Sequence, residues 1–331
     1  MTSFRALQAF AQDDGSFGQA IVTRELADLP AHAVLVRVYW SALNYKDALS
    51  ASGHPGITRN YPHTPGIDAA GVVEESSDSR FAPGDRVIVT SHDLGMNTSG
   101  GLAEYIRVPA DWIVPLPAGL DLREAMILGT GGLTAGLALY KLERSGQRPD
   151  MGPLVVTGAS GGVGSLAVAL LAQAGYEVLA VSGSRENYAW LQQLGAKQCL
   201  PRDEFIDKST RPLLRSRWAG GIDTVGGAML ATLIRACAKE GSIAVCGLVG
   251  GAELALTVYP FILNGVQLLG IDSAECPQAL RQEIWQHLAG SWKPAELEAF
   301  ATEGGLEEVP AALAAMLKGQ SRGRRIVRLA P

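Results

Sequence analysis

The sequence predicts a two-domain α/β protein, a β-rich first domain followed by a doubly wound parallel sheet. Three observations carry this: short β-rich runs broken by turn clusters between Ala33 and Leu116, a strand-helix alternation from Pro153 onward, and a glycine-rich turn joining the first strand of that alternation to its first helix. At 331 residues, with 47% hydrophobic and 18% charged residues, the chain is long enough for two domains that each bury a core.

Taken in order, AVLVRVYW (33–40), AAGVVEE (69–75), DRVIVT (85–90) and AEYIRVP (103–109) read as short strands, with HTPG (63–66) and APGD (82–85) as turns. Their texture is that of a small barrel or sandwich. The Gly- and Ala-rich segment from about Leu122 to Tyr140 has helical runs and reads as a crossing between the domains. Then come strand PLVVTG, a small-residue helix to about Ala174, strand YEVLAVSG, a helix around Glu186 to Leu194, and the later strands GIDTVGG, GSIAVCGLVG and VQLLGID. Such alternation implies parallel strands with cofactor chemistry at their carboxyl ends. After Pro277, the amphipathic ALRQEIWQHLA precedes a tail, RRIVRLAP, expected to return to the first domain as an edge strand. The expected domains are residues 1–125, completed by 275–331, and residues 126–274.

A net charge of −5 without a basic block gives no footprint for nucleic acid or anionic lipid, and small-molecule work fits better. The first ten residues lack the pattern of a secretory signal, so a cytoplasmic location is expected. The most apolar stretch, Val163 to Val181, contains Gln173, Gly175 and Glu177 and reads as helix, turn and strand rather than a membrane span. The four cysteines, Cys199, Cys237, Cys246 and Cys276, form no C-x-x-C pair, so neither a disulfide framework nor a zinc knuckle is indicated.

Strand Leu154–Thr157 runs into Gly158-Ala159-Ser160-Gly161-Gly162-Val163-Gly164, an A-x-G-x-x-G form of the dinucleotide fingerprint. Glycines there let the backbone approach a pyrophosphate, and the amides and dipole of the helix start bind its charge. At the end of the next strand, where an NAD site places an acid for the ribose hydroxyls, the chain reads Ser182-Gly183-Ser184-Arg185. Nothing there repels a 2′-phosphate, and hydroxyls and a guanidinium are available to bind one, so NADPH is the expected cofactor. Arg202, after the third strand, reads either as a cap over the adenosine phosphate or as a solvated surface arginine.

The combination of Ser41-Ala42-Leu43-Asn44-Tyr45-Lys46-Asp47, Pro65-Gly66-Ile67-Asp68 and the GASGGVG loop resembles zinc-free, quinone-oxidoreductase-like members of the medium-chain dehydrogenase/reductase family. More narrowly, LPRDEF, IDTVGG and PFILNGVQLLGIDS resemble its acrylyl-CoA reductase branch, whose members reduce acryloyl-CoA to propionyl-CoA with NADPH. The resemblance implies a GroES-like catalytic domain, a Rossmann domain and a homodimer. It also implies no metal site, because zinc-dependent relatives place a cysteine near the position of Asn44, a His-Glu pair near Ile67-Asp68 and a four-cysteine lobe, all absent here. Cofactor contacts carried onto matching positions are Tyr45, Ser160, Gly161, Gly162, Val163, Ser182, Gly183, Ser184, Arg202, Leu248, Ile262 and Ser273, with Arg185 added from its place beside Ser184.

The chemistry implied is hydride addition to the β-carbon of a short enoyl thioester, an acyl-CoA. The protein must align the reactants and stabilise charge developing on the carbonyl oxygen. Asn44 and Tyr45 are the catalytic candidates; Tyr45 reads as packed against the nicotinamide or as a proton donor. Lys46 and Asp47 read as a structural ion pair. Arg59 and Arg324 are candidates for phosphate groups of coenzyme A or NADPH, on charge alone. The alternatives are a broad-specificity quinone or enone reductase and a non-catalytic NADPH-binding sensor, since fold and cofactor do not fix function.

Overall fold

A computed structural model describes residues 3–330. Two compact units emerge: one takes in residues up to Thr130, Ser273–Gly290 and residues from Glu296 on, the other Gly131–Asp272 and Ser291–Ala295. The short run Ser291–Ala295 goes with the second unit.

The first unit begins with a hairpin of β1 (Ser3–Ala11) and β2 (Phe17–Glu25), paired antiparallel over nine residues. The sequence reading starts its strands only at Ala33 and misses this hairpin, although Asp14-Gly15 supplies the turn signal, with Gly15 at φ 81°. Then follow β3 (Val34–Ala42), α1 (Tyr45–Ala51), β4 (Asp68–Ser76), β5 (Arg86–Thr90), β6 (Tyr105–Val108) and β7 (Ile113–Pro115). Helix α2 (Leu122–Arg144) is 23 residues long and apolar enough to span a membrane, but most of it is buried within the protein. Its course breaks at Gly129, where φ 50° and ψ −152° are open only to glycine.

The second unit contains β8 (Leu154–Val156), α3 (Gly162–Gln173), β9 (Val178–Ser182), α4 (Tyr188–Gln193), β10 (Ala196–Pro201), α5 (Arg202–Phe205), β11 (Trp218–Asp223), α6 (Gly227–Arg235), β12 (Cys237–Val245), α7 (Tyr259–Asn264) and β13 (Gln267–Gly270). All six strands are parallel, in the order β10-β9-β8-β11-β12-β13. The central strands β8, β9 and β11 are buried along their whole length, as expected where both faces of a sheet are covered. Trp218 stacks on Phe205 at 5.0 Å among Val155, Leu233 and Ile243 in one of the unit's cores.

The chain then returns through α8 (Gln278–Ala289), β14 (Ala301–Gly305), α9 (Val309–Leu317) and β15 (Arg324–Arg328). The first unit's seven-stranded sheet has the order β14-β15-β3-β4-β5-β7, with β6 also paired to β3. The tail is therefore not an edge strand: β15 lies between β3 and β14, and β14 takes the edge. Its sequence, ATEGG, carries no strand pattern of its own, so pairing with β15 alone makes it a strand.

Candidate functional site

Two sets of groups stand out, one in each unit. In the second, the turn after β8 closes through glycines that leave no room for a side chain. A Cβ on Gly164 would sit 2.2 Å from the Gly158 carbonyl oxygen, and one on Gly158, at φ 59°, would sit 2.3 Å from Thr224 Oγ1. Gly161 precedes α3 without any side-chain cap, so the first amides of a 12-residue helix are left to a ligand. This is a cradle of the right chemistry for a dinucleotide diphosphate.

Beside it, Ser160 and Ser182 share a hydroxyl hydrogen bond of 3.1 Å, and the Ser184 amide donates to Ser182 Oγ at 3.2 Å. The Arg202 guanidinium lies over Gly183, with its carbon 3.3 Å from where a Cβ would stand there. Ser160, Ser182, Gly183, Ser184 and Arg202 are therefore brought together, next to Gly161, Gly162 and Val163. Among the described residues Arg202 is held only at 3.9 Å by Asp203, leaving its donors available, whereas Arg185 reaches Glu204 at 3.2 Å. No carboxylate stands at the end of β9 itself.

The remaining expected contacts are more scattered. Leu248 follows the carboxyl end of β12 and is 61% exposed. Ile262, 67% exposed, sits on α7, where Asn264 Nδ2 donates to the carbonyl of Cys237, the first residue of β12. Ser273 belongs to the first unit, where its carbonyl accepts from Arg281 Nη2 at 3.0 Å.

In the first unit the polar cluster is built from segments far apart in sequence. Asp68, at the start of β4, is fully buried and bonds Arg324 Nη2 of β15 at 3.1 Å. Its carboxylate also accepts from the Thr130 amide at 3.0 Å, the Thr130 hydroxyl at 2.6 Å and Asn44 Nδ2 at 2.9 Å. The break at Gly129 is what turns Thr130 inward, and a Cβ there would strike Asp68 Oδ2 at 2.4 Å. Arg324 is 2% exposed and also donates to Asn44 Oδ1 and the Ile127 carbonyl, so it is not a surface arginine waiting for a phosphate, as charge alone suggests. Burial lowers its pKa, opposed by Asp68 and Asp47.

Asn44 caps α1: the Asp47 carboxylate accepts from the Asn44 amide at 2.7 Å and, through its other oxygen, from the Ile67 amide at 2.8 Å. Asp47 is thus paired with backbone amides and not with Lys46, because the cap turns it inward while Lys46 stays half-buried. Burial, reinforced by Asp68, raises its carboxyl to about 7. Asn44 Nδ2 donates to the Ala42 carbonyl and to Asp68, while the adjacent Tyr45 is 36% exposed. Arg59 is exposed. Among the described residues no three His, Cys, Asp or Glu side chains are placed to share a metal ion.

The sequence reading misses Asp68 and Thr130 as cluster members and misassigns Arg324. The available signal was Gly129 in a helical run and a lone Asp opening a strand, neither of which names its partner.

Comparison with known proteins finds two domain families in the chain. Residues 30–118 match the alcohol dehydrogenase GroES-like domain, and residues 162–289 the zinc-binding dehydrogenase domain. The acrylyl-CoA reductase AcuI of Ruegeria pomeroyi is 47% identical over 325 residues, covering 98% of each chain. Two solved structures superpose closely. The yhdH oxidoreductase of Salmonella enterica in complex with NADP has TM-score 0.95 and 47% identity over 98% of this chain and 100% of that one. Bacillus subtilis yhfP with NAD bound has TM-score 0.96 and 46% identity over 99% and 100%.

Proposed function

Because this chain belongs to the medium-chain dehydrogenase/reductase family, we propose that it is an NADPH-dependent reductase of the activated C=C bond of a short enoyl thioester, converting acryloyl-CoA to propionyl-CoA. The observation that carries the reading is the glycine cradle flanked by Ser182, Ser184 and Arg202, with no carboxylate at the end of β9. The likeness to AcuI supports the substrate class.

The chain's own groups divide the work. The amides at the start of α3 hold a diphosphate, while the Ser182 and Ser184 hydroxyls and Arg202 hold a 2′-phosphate through charge-assisted hydrogen bonds. Bound there, NADPH supplies the hydride. In the first unit, Asp68, Arg324 and Thr130 fix Asn44, and Asn44 fixes the start of α1 and with it Tyr45. We assign Tyr45, with its exposed phenol, as the residue that meets cofactor or substrate. The reading places the enzyme in the cytoplasm as a homodimer.

The test is steady-state NADPH oxidation with acryloyl-CoA and with a simple benzoquinone, offered separately at matched concentrations. A much larger kcat/KM for acryloyl-CoA is expected. Preference for the quinone moves the activity to a broad-specificity quinone reductase, and turnover of neither leaves a binding protein.

A further inference from the structure

The cradle described above rests on a buried carboxylate that no step of the chemistry uses. Asp223 ends β11, is fully buried, and pairs with no Lys or Arg among the described residues. Its Oδ1 accepts the Thr157 hydroxyl at 2.7 Å; its Oδ2 accepts the Gly226 amide at 2.7 Å and the Val225 amide at 3.3 Å. Thr157 is the first residue after β8, where the chain turns into the phosphate loop, and its hydroxyl in turn accepts the Thr224 amide at 3.0 Å. Thr224 Oγ1 donates back to the Thr157 carbonyl at 2.8 Å.

The same node reaches the loop after β12. The Asp223 carbonyl accepts the Cys246 amide at 3.0 Å, and the Val225 carbonyl accepts the Gly250 amide at 2.7 Å. Space is as tight as the bonding: a Cβ on Gly247 would overlap the Thr224 carbonyl at 1.9 Å, and one on Gly226 would lie 2.6 Å from the Gly251 oxygen. Three strand ends, β8, β11 and β12, are thereby interlocked at the side of a doubly wound sheet where ligands bind.

We propose that Asp223 is a positioning residue for the cofactor, holding the phosphate loop after β8 in register with the loop after β12. The inference rests on the NADPH reading above. A carboxylate is required because it accepts only. One oxygen takes a hydroxyl while the other takes two amides, and an asparagine would turn an N–H donor toward one of these sets. Burying such an anion without a cation is costly unless every lone pair facing a donor is used, as it is here.

The experiment measures Kd for NADPH and for adenosine 2′-monophosphate, which reaches only the Ser182–Arg202 end, on the full-length wild type and on Asp223→Asn, Thr157→Val and Thr157→Ser. Asp223→Asn and Thr157→Val are expected to weaken NADPH about tenfold or more, the scale of one buried hydrogen bond left unmade. Binding of 2′-AMP stays at the wild-type value, and Thr157→Ser retains NADPH binding. Thr157→Val carries the test should Asp223→Asn not fold. Equal losses for both ligands, the signature of general destabilisation, overturn the proposal, as does unchanged NADPH binding. Wild type that binds neither ligand overturns the cofactor reading and this one with it.

Discussion

The phosphate cradle and the Asp68–Arg324 cluster are built on opposite principles. The cradle lies within one run of seven residues, Gly158 to Gly164, and offers backbone amides; what its side chains contribute is mostly their absence. The cluster gathers Asn44, Asp68, Thr130 and Arg324 from across nearly the whole first unit and consists of side chains packed in the dark. A backbone site is sensitive to volume and forgiving of charge. A buried ionic site is the reverse, because each charge depends on the others to offset its desolvation.

The sharpest way to break that contrast is to remove one charge. Arg324→Met leaves Asp68 buried without its cation and is expected to cost about 3–5 kcal/mol in denaturant unfolding, whereas Arg324→Met with Asp68→Leu recovers part of the loss. A single-variant loss below about 1 kcal/mol, the range of an exposed pair, would show that the cluster is solvated after all.

In the cradle, Gly164→Ala adds only a methyl group, yet that group must push the Gly158 carbonyl away from 2.2 Å. We expect kcat/KM with NADPH to fall about 100-fold, the scale of an ångström-level misplacement, with little change in unfolding free energy. Parallel losses in stability and activity would mean that the loop is a fold element first.

Smaller effects separate the phosphate end from the rest. Arg202→Ala with Ser182→Ala removes charge-assisted bonds to a 2′-phosphate and is expected to weaken NADPH about 10- to 100-fold while leaving NADH within about twofold. Equal losses for the two nucleotides would remove the assignment.

The mildest test is a pH profile. Asp47 is raised to about 7 in the folded chain against about 3.9 when unfolded, so between those values the native state binds the extra proton. Its contribution is fully present below pH 4 and is lost as pH rises through 7. Asp47→Asn should flatten stability over that window, as read by urea midpoints at several pH values. A variant whose slope matches wild type would show that Asp47 titrates normally.

The contrast also explains what could be read in advance. The parallel strands, the glycine loop and the missing acid after β9 are local or are set by short spacings, whereas Arg202 joins Ser182 as a candidate only through the family resemblance. The hairpin β1–β2 carries its own local signals, the Ile21-Val22-Thr23 run and the Asp14-Gly15 turn, which a reading that starts at Ala33 does not reach. Arg324 reads in the sequence only as a charge, and nothing near it says that Asp68, 256 residues away, receives it.

By itself, then, the sequence determined the strand-helix alternation from Pro153 onward and the backbone-built cradle, because periodicity and glycine placement act within a few residues. The tertiary structure decided that β15 is an interior strand, that Gly129 breaks its helix to bring Thr130 onto Asp68, and that Asn44 Nδ2 donates to Ala42 and Asp68. Those outcomes depend on which side chains share a desolvated volume, and desolvation is a property of packing that no local pattern encodes.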